Sequence, residues 1–176
     1  MKKIFFSVIV LAFTSNSFAQ KAFDKYLDSD NVGAIVINKS MLGIVAQISA
    51  SDKSKEAKDF VDLAENINEI KIYISENRAA SADMKKTVKT YLKKSSMEEL
   101  MRVRDDDAQV EFYVKSTNND NVVSQLFMFV NGIESKSDKT PETVLVTMNG
   151  KIELDKLGAL VNKMQLPKEL KKASGK

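Results

Sequence analysis

Gln109-Val110-Glu111-Phe112-Tyr113-Val114-Lys115 alternates polar and apolar side chains, and the chain on either side of it follows the same plan. Successive side chains of a strand point to opposite faces, so Val110, Phe112 and Val114 share one face. Leu100 to Val103 reads as the strand before it, with Asp105-Asp106-Asp107 as the turn between. Thr117-Asn118-Asn119-Asp120-Asn121 is a second turn, rich in residues that tolerate left-handed backbone angles. Val122 to Val130 is the next strand, ended by Asn131-Gly132. Ser135 to Pro141 is a polar loop, and Thr143 to Met148 a further strand. Asn149-Gly150 carries the composition of a tight turn, after which Lys151 to Leu154 continues. Sequential strands joined by turns describe an antiparallel meander.

Upstream of Met97 the period is mainly helical. Ala22 to Leu27 is a short helical lead-in. Val32 to Ile37 is a β-branched run that reads as a buried first strand. Met41, Ile44, Val45 and Ile48 recur at i, i+3, i+4 and i+7, which predicts an amphipathic helix that also carries Leu42 and Gly43. Lys55 to Ile67 predicts a second helix, with Ala57, Phe60, Val61, Ala64 and Ile67 on one face. Ile70, Ile72 and Ile74 alternate with Lys71 and Tyr73, a strand with one buried face. Ser81 with Asp83 offers a cap for a third helix. That helix turns Met84, Val88, Tyr91 and Leu92 inward and Lys85, Lys86, Lys89 and Lys93 outward, and the lysines read as a solvated face. Asp155 caps a last helix bearing Leu157, Leu160, Val161 and Met164, stopped by Pro167.

The order β-α-α-β-α, meander, α predicts an α+β fold. The expectation is a single, mostly antiparallel sheet of five to six strands with helices packed on one face. No internal repeat or linker divides it.

The composition narrows the chemistry. The 176 residues hold 27 basic and 24 acidic side chains, with no histidine and no cysteine. Without cysteine there are no disulfides, thiolate nucleophiles or zinc-thiolate sites; without histidine the usual general base and commonest transition-metal ligand are missing. Met1-Lys2-Lys3, the apolar run Ile4 to Phe13 and the small residues around Ser17-Phe18-Ala19 form the three-part pattern of a secretory signal peptide. The apolar core is shorter than the about 20 residues that span a bilayer. Residues 1–19 are expected to be cleaved after Ala19, residues 20–167 to form one domain, and residues 168–176 a flexible lysine-rich tail. The chain is then exported, to a periplasm or outside the cell, with no lipid-attachment cysteine and no stable membrane anchor. Removing the signal leaves 25 basic and 24 acidic groups, or +1, and residues 20–167 alone carry 21 and 23, or −2.

Each constellation that could carry chemistry has a plainer reading. Asp105, Asp106 and Asp107 lack the alternate-position ligands, glycine and terminal glutamate of a calcium loop, and so do Asn118, Asn119 and Asp120. Ser40 with Lys39 and Ser54 with Lys55 are adjacent pairs, which do not face each other on a helix, and no serine-hydrolase motif frames them. Glycines 33, 43, 132, 150, 158 and 175 stand alone, so no loop cradles a phosphate. Met41, Met84, Met101, Met128 and Met164 fall on apolar faces and read as core filling. Spread lysines and near-zero charge argue against nucleic acid. The reading is no catalytic residue, no cofactor and no metal site.

Three stretches resemble a known family. Val36-Ile37-Asn38-Lys39-Ser40-Met41-Leu42, Glu98-Glu99-Leu100-Met101-Arg102-Val103-Arg104-Asp105-Asp106 and Val144-Leu145-Val146-Thr147-Met148-Asn149-Gly150-Lys151-Ile152 are similar to the exported bacterial family known as domain of unknown function 4252, over residues 22–165. The resemblance implies an exported protein of Bacteroidota type, though without the lipid-attachment cysteine of many members. The family has no established activity, so it assigns no site residue. The expected function is an exported, non-catalytic envelope binding or interaction module whose partner is another cell-envelope protein. The alternatives are a periplasmic carrier of a small apolar ligand, or a carboxylate- or serine-based hydrolase.

Overall fold

The computed structural model describes residues 18–104, 108–132 and 143–157. Its elements in chain order are α1 (Phe18–Asp24), β1 (Gly33–Asn38), α2 (Lys39–Ser49), α3 (Lys55–Asn66), β2 (Ile67–Ser75), α4 (Arg78–Lys94), β3 (Glu98–Arg104), β4 (Ala108–Ser116), β5 (Val122–Gly132) and β6 (Thr143–Glu153), closed by a 3-10 turn at Leu154–Lys156. Six strands form one antiparallel sheet in the order β1-β2-β6-β5-β4-β3. The α+β class and the six-stranded antiparallel sheet agree with the sequence reading. The meander runs β3-β4-β5-β6, and β6 then lies between β5 and β2, so the last strand in sequence sits inside the sheet.

The placement of the helices differs from the expectation. They cover both faces of the sheet, not one. Ile70, Ile72, Val110, Val114, Leu126, Met128, Val144 and Val146 join Leu42, Ala46, Phe60, Leu63 and Ala64 of α2 and α3 in one cluster. Tyr73, Tyr113, Phe127, Phe129 and Leu145, at the opposite strand phase, join Phe23 and Tyr26 beside α1 and Met84 and Val88 of α4 in a second. The cause is the composition of the inner strands. Leu126-Phe127-Met128-Phe129-Val130 is apolar on both faces and every one of its side chains is buried, so each face needs a cover. Burying each such large side chain stabilises the fold by roughly 1.5–3 kcal/mol.

Local chemistry sets the helix starts. Asn38 accepts a hydrogen bond from the Met41 amide at 3.0 Å, Ser54 from Ala57 at 3.1 Å and Asn77 from Ala80 at 3.0 Å, each filling an orphan donor of a first turn. α4 therefore begins at Arg78, ahead of the expected cap at Ser81; that residue is buried inside the helix instead. Asn149-Gly150 is not a hairpin turn. β6 runs through it, and Gly150 takes φ +145° where the strand passes the α3–β2 junction.

Two strands differ in burial from their sequence reading. β2, read with one buried face, is buried on both, with Tyr73 wholly enclosed. β1, read as buried, is the sheet edge, and only Ile37 is even half-buried along it. α1 begins at Phe18, before the expected cut after Ala19. Residues 1–17 of the export signal, the Asp105–Asp107 turn, the 135–141 loop, the last helix beyond Leu157, Met164 and the 168–176 tail lie outside the described residues.

Candidate functional site

The sheet ends in two very different edges. β3 reads Glu98-Glu99-Leu100-Met101-Arg102-Val103-Arg104, with four charges and a register shift between Glu99 and Met101. Charges and bulges are how natural edges repel an added strand. β1 reads Gly33-Ala34-Ile35-Val36-Ile37-Asn38, with no charge, no proline and an unbroken register against β2. Among the described residues nothing pairs with its outer side.

Apolar side chains surround the bare edge. Ile35 and Val36 are about half exposed. α2 follows directly and buries Leu42 and Ala46 against α3 and the sheet, which leaves Met41 51%, Ile44 53% and Ile48 72% exposed. The i, i+3, i+7 stripe read from sequence as the core face is thus the outer flank. On its other side α2 places the small Ala46 in the same buried cluster as Ala64 of α3. Met41 on α2 and Met101 on the edge strand β3 are exposed and not core filling, whereas Met84 and Met128 are buried as expected.

The face carrying α4 is basic. Residues 78–94 hold six cations and one acid, a net of +5, while residues 20–167 as a whole carry −2; the remainder is thus −7. Two grooves flank α4. One, of ≈ 770 Å³, lies towards α1, β4 and β5 and includes Lys25, Lys86, Lys94 and Lys115 in its lining. The other, of ≈ 540 Å³, lies towards β3, β4 and β5 and includes Lys85, Lys89, Lys93 and Arg102.

Acids in these grooves are already engaged. Lys25 Nζ lies 2.5 Å from Asp83 Oδ2, which also accepts a 2.8 Å bond from the Tyr26 hydroxyl; the Tyr26 and Thr87 hydroxyls are 2.9 Å apart. The hydrogen bond from Lys25 holds the Asp83 carboxyl below its ordinary value, with Tyr26 adding to the effect. In the second groove Arg102 Nη2 lies 2.6 Å from Glu99 Oε2 and 3.6 Å from Glu111 Oε1. The Tyr113 hydroxyl sits 3.2 Å from Glu99 and 3.1 Å from Glu111. Burial, then the charge of Glu111, pushes Tyr113 up to about 12, while the bond from Arg102 lowers Glu99. A general acid near neutrality needs a carboxyl shifted upward; every carboxyl with a resolved shift here moves the other way.

The residues weighed from sequence fall elsewhere. Ser54 is spent on capping α3, and Ser40 and Lys39 are exposed at the start of α2. Asn119 accepts from the Asn121 amide at 2.9 Å, and Asn121 in turn donates to Asp155 at 3.0 Å and accepts from the Leu154 amide at 3.0 Å, so the turn is tied to the end of β6. Among the described residues no group of three or more acidic side chains could hold a metal ion, and no helix is long and apolar enough to cross a membrane. What the sequence reading missed is the bare edge of β1 and the pairing of α4 lysines with grooves. The absence of charge in residues 33–38 was the visible signal for the first.

No curated protein and no solved structure matches the chain. A family match covers residues 24–160, which takes in every described strand. The chain belongs to the family described as Domain of unknown function (DUF4252).

Proposed function

We propose that this protein is an exported, non-catalytic module of the cell envelope that binds a protein partner by accepting a strand on β1. One observation carries the reading: β1 is uncharged, regular and, among the described residues, unpaired on its outer side, while the opposite edge, β3, is guarded by four charges and a bulge. An extended segment added to such an edge gains main-chain hydrogen bonds, and neighbouring apolar side chains supply specificity. Ile35, Met41, Ile44 and Ile48 offer that apolar surface. The carboxylates of the α4 face, tied to lysine and arginine, support binding over hydrolysis. The cavity beside Tyr73, at ≈ 20 Å³, has room for a water molecule and not for an apolar cargo.

Site-specific photo-crosslinking in the native envelope tests the reading. A photoreactive residue at Ile35 or Ile48 should give a discrete crosslinked protein, and one at Leu100, an exposed apolar residue of the guarded edge, should not. No crosslink at either β1-side position, the same products at all three, or crosslinks only to a second copy would overturn it.

A further inference from the structure

We propose that the ≈ 770 Å³ groove between α1, the C-terminal half of α4 and strands β4 and β5 binds a ligand carrying a phosphate group. The volume lies within the range of small-molecule sites, roughly 300–1,000 Å³. Four lysines line it against one acid, Asp83, for a net of +3. Asp83 is taken by Lys25 and Tyr26. Among the described residues no carboxylate lies within ion-pair distance of Lys86, Lys94 or Lys115. Lys86 shares the field of Asp83 with Lys25, which leaves Lys94 and Lys115 with no carboxylate partner among the described residues, and a multivalent anion placed in the concavity between these ammonium groups is attracted by all of them.

The donor type suits a compact multivalent anion. The groove holds lysines and no arginine, and lysine offers a compact charge with three rotatable donors, suited to tetrahedral phosphoryl oxygens. The hydroxyls of Thr87, Thr90, Ser95 and Ser96 line the same space and can donate to further oxygens. Tyr91 and Met97 supply an apolar wall for the carbon skeleton that bears the phosphate. The site lies on the sheet face opposite α2 and α3 and is independent of partner binding at β1.

Two sources of this chemistry can be separated on the full folded chain. Inorganic pyrophosphate, titrated by calorimetry, stands for a soluble phosphate ester. Vesicles of equimolar phosphatidylglycerol and phosphatidylcholine, against pure phosphatidylcholine in co-sedimentation, stand for a lipid headgroup. Binding to pyrophosphate assigns the soluble source, and binding to the anionic vesicles alone assigns the headgroup. In either arm the double variant Lys94→Gln with Lys115→Gln should weaken binding about tenfold or more. Lys58→Gln on α3, and the pair Lys85→Gln with Lys93→Gln on the other flank of α4, should leave it within about twofold. Thermal unfolding of each variant confirms that the fold is retained. No binding in either arm, or equal losses in all variants, would overturn the proposal; a failed crosslink at β1 would not touch it.

Discussion

Gly150 lies so close to Asn66 that a Cβ on the glycine would meet the Asn66 carbonyl oxygen at 2.4 Å, with the Ile67 Cα at 2.7 Å. All of these neighbours are backbone, and Gly150 also holds φ +145°, a conformation costly for any other residue. Gly150→Ala should therefore destabilise the protein by about 3 kcal/mol, more than an ordinary exposed strand substitution. Urea unfolding of the variant checks this, and a loss under about 0.5 kcal/mol would contradict the close approach.

The Tyr73 ring is wholly buried between Phe23 at 6.5 Å and Tyr26 at 6.0 Å, yet its hydroxyl has no hydrogen-bond partner among the described residues. Removing an unsatisfied buried hydroxyl relieves its desolvation, so Tyr73→Phe should hold or raise stability by up to about 1 kcal/mol. Burial pushes both Tyr73 and Tyr113 up to about 12. A raised folded value means stability that is fully present below the unfolded phenol value of about 10 and lost as pH climbs through the folded one. Unfolding temperature should fall over that alkaline window, and less steeply in Tyr73→Phe. Equal slopes would contradict the assignment.

Leu42 and Ile48 share α2 and differ in burial, at 4% and 72% exposed. Leu42→Ala should cost about 2–5 kcal/mol through lost transfer energy and a cavity. Ile48→Ala should stay within about 0.5 kcal/mol. Paired thermal melts decide it, and similar losses would mean that the outer flank of α2 is covered.

At Asp83 the sign reverses. Its folded value lies below the ordinary one, so its contribution is complete above about pH 4 and fades as pH falls through the folded value. The pair with Lys25 is half exposed on both sides, which limits its worth to about 0.5 kcal/mol. Asp83→Asn should lower stability slightly at neutral pH and match the parent in strong acid. A constant difference across the acid range in melting experiments would rule out the ion pair as its origin.

The meander was legible because its hairpins close locally. The Val110, Phe112 and Val114 alternation and the Thr117–Asn121 turn sit side by side in sequence and in space. The two-sided core was partly legible too. The five-residue apolar run Leu126 to Val130 has no polar phase to give to solvent, and such a run marks a strand covered on both faces. β1 misled because a β-branched run says what a strand can bury, not where it stands, and its edge position depends on β6 entering beside β2. Asn149-Gly150 misled for a similar reason, because the glycine answers to a distant backbone at Asn66 and not to its neighbours in sequence. The α4 lysines were correctly placed outward, but a groove needs α1 and β4 beside them, and only the folded topology brings those together.

The position of β6 also dictates an order of assembly. Ile74 of β2 pairs with Val144 of β6, 70 positions later. Until residues 143–153 are in place, the segment from β1 to β2 and the hairpins of β3 to β5 are two separate, half-open sheets, each showing a raw edge to the other. Closing so long a loop before any pairing rewards it slows folding and keeps the two halves apart until residues 143–153 are available. Such a chain is held back from premature closure by its own strand order.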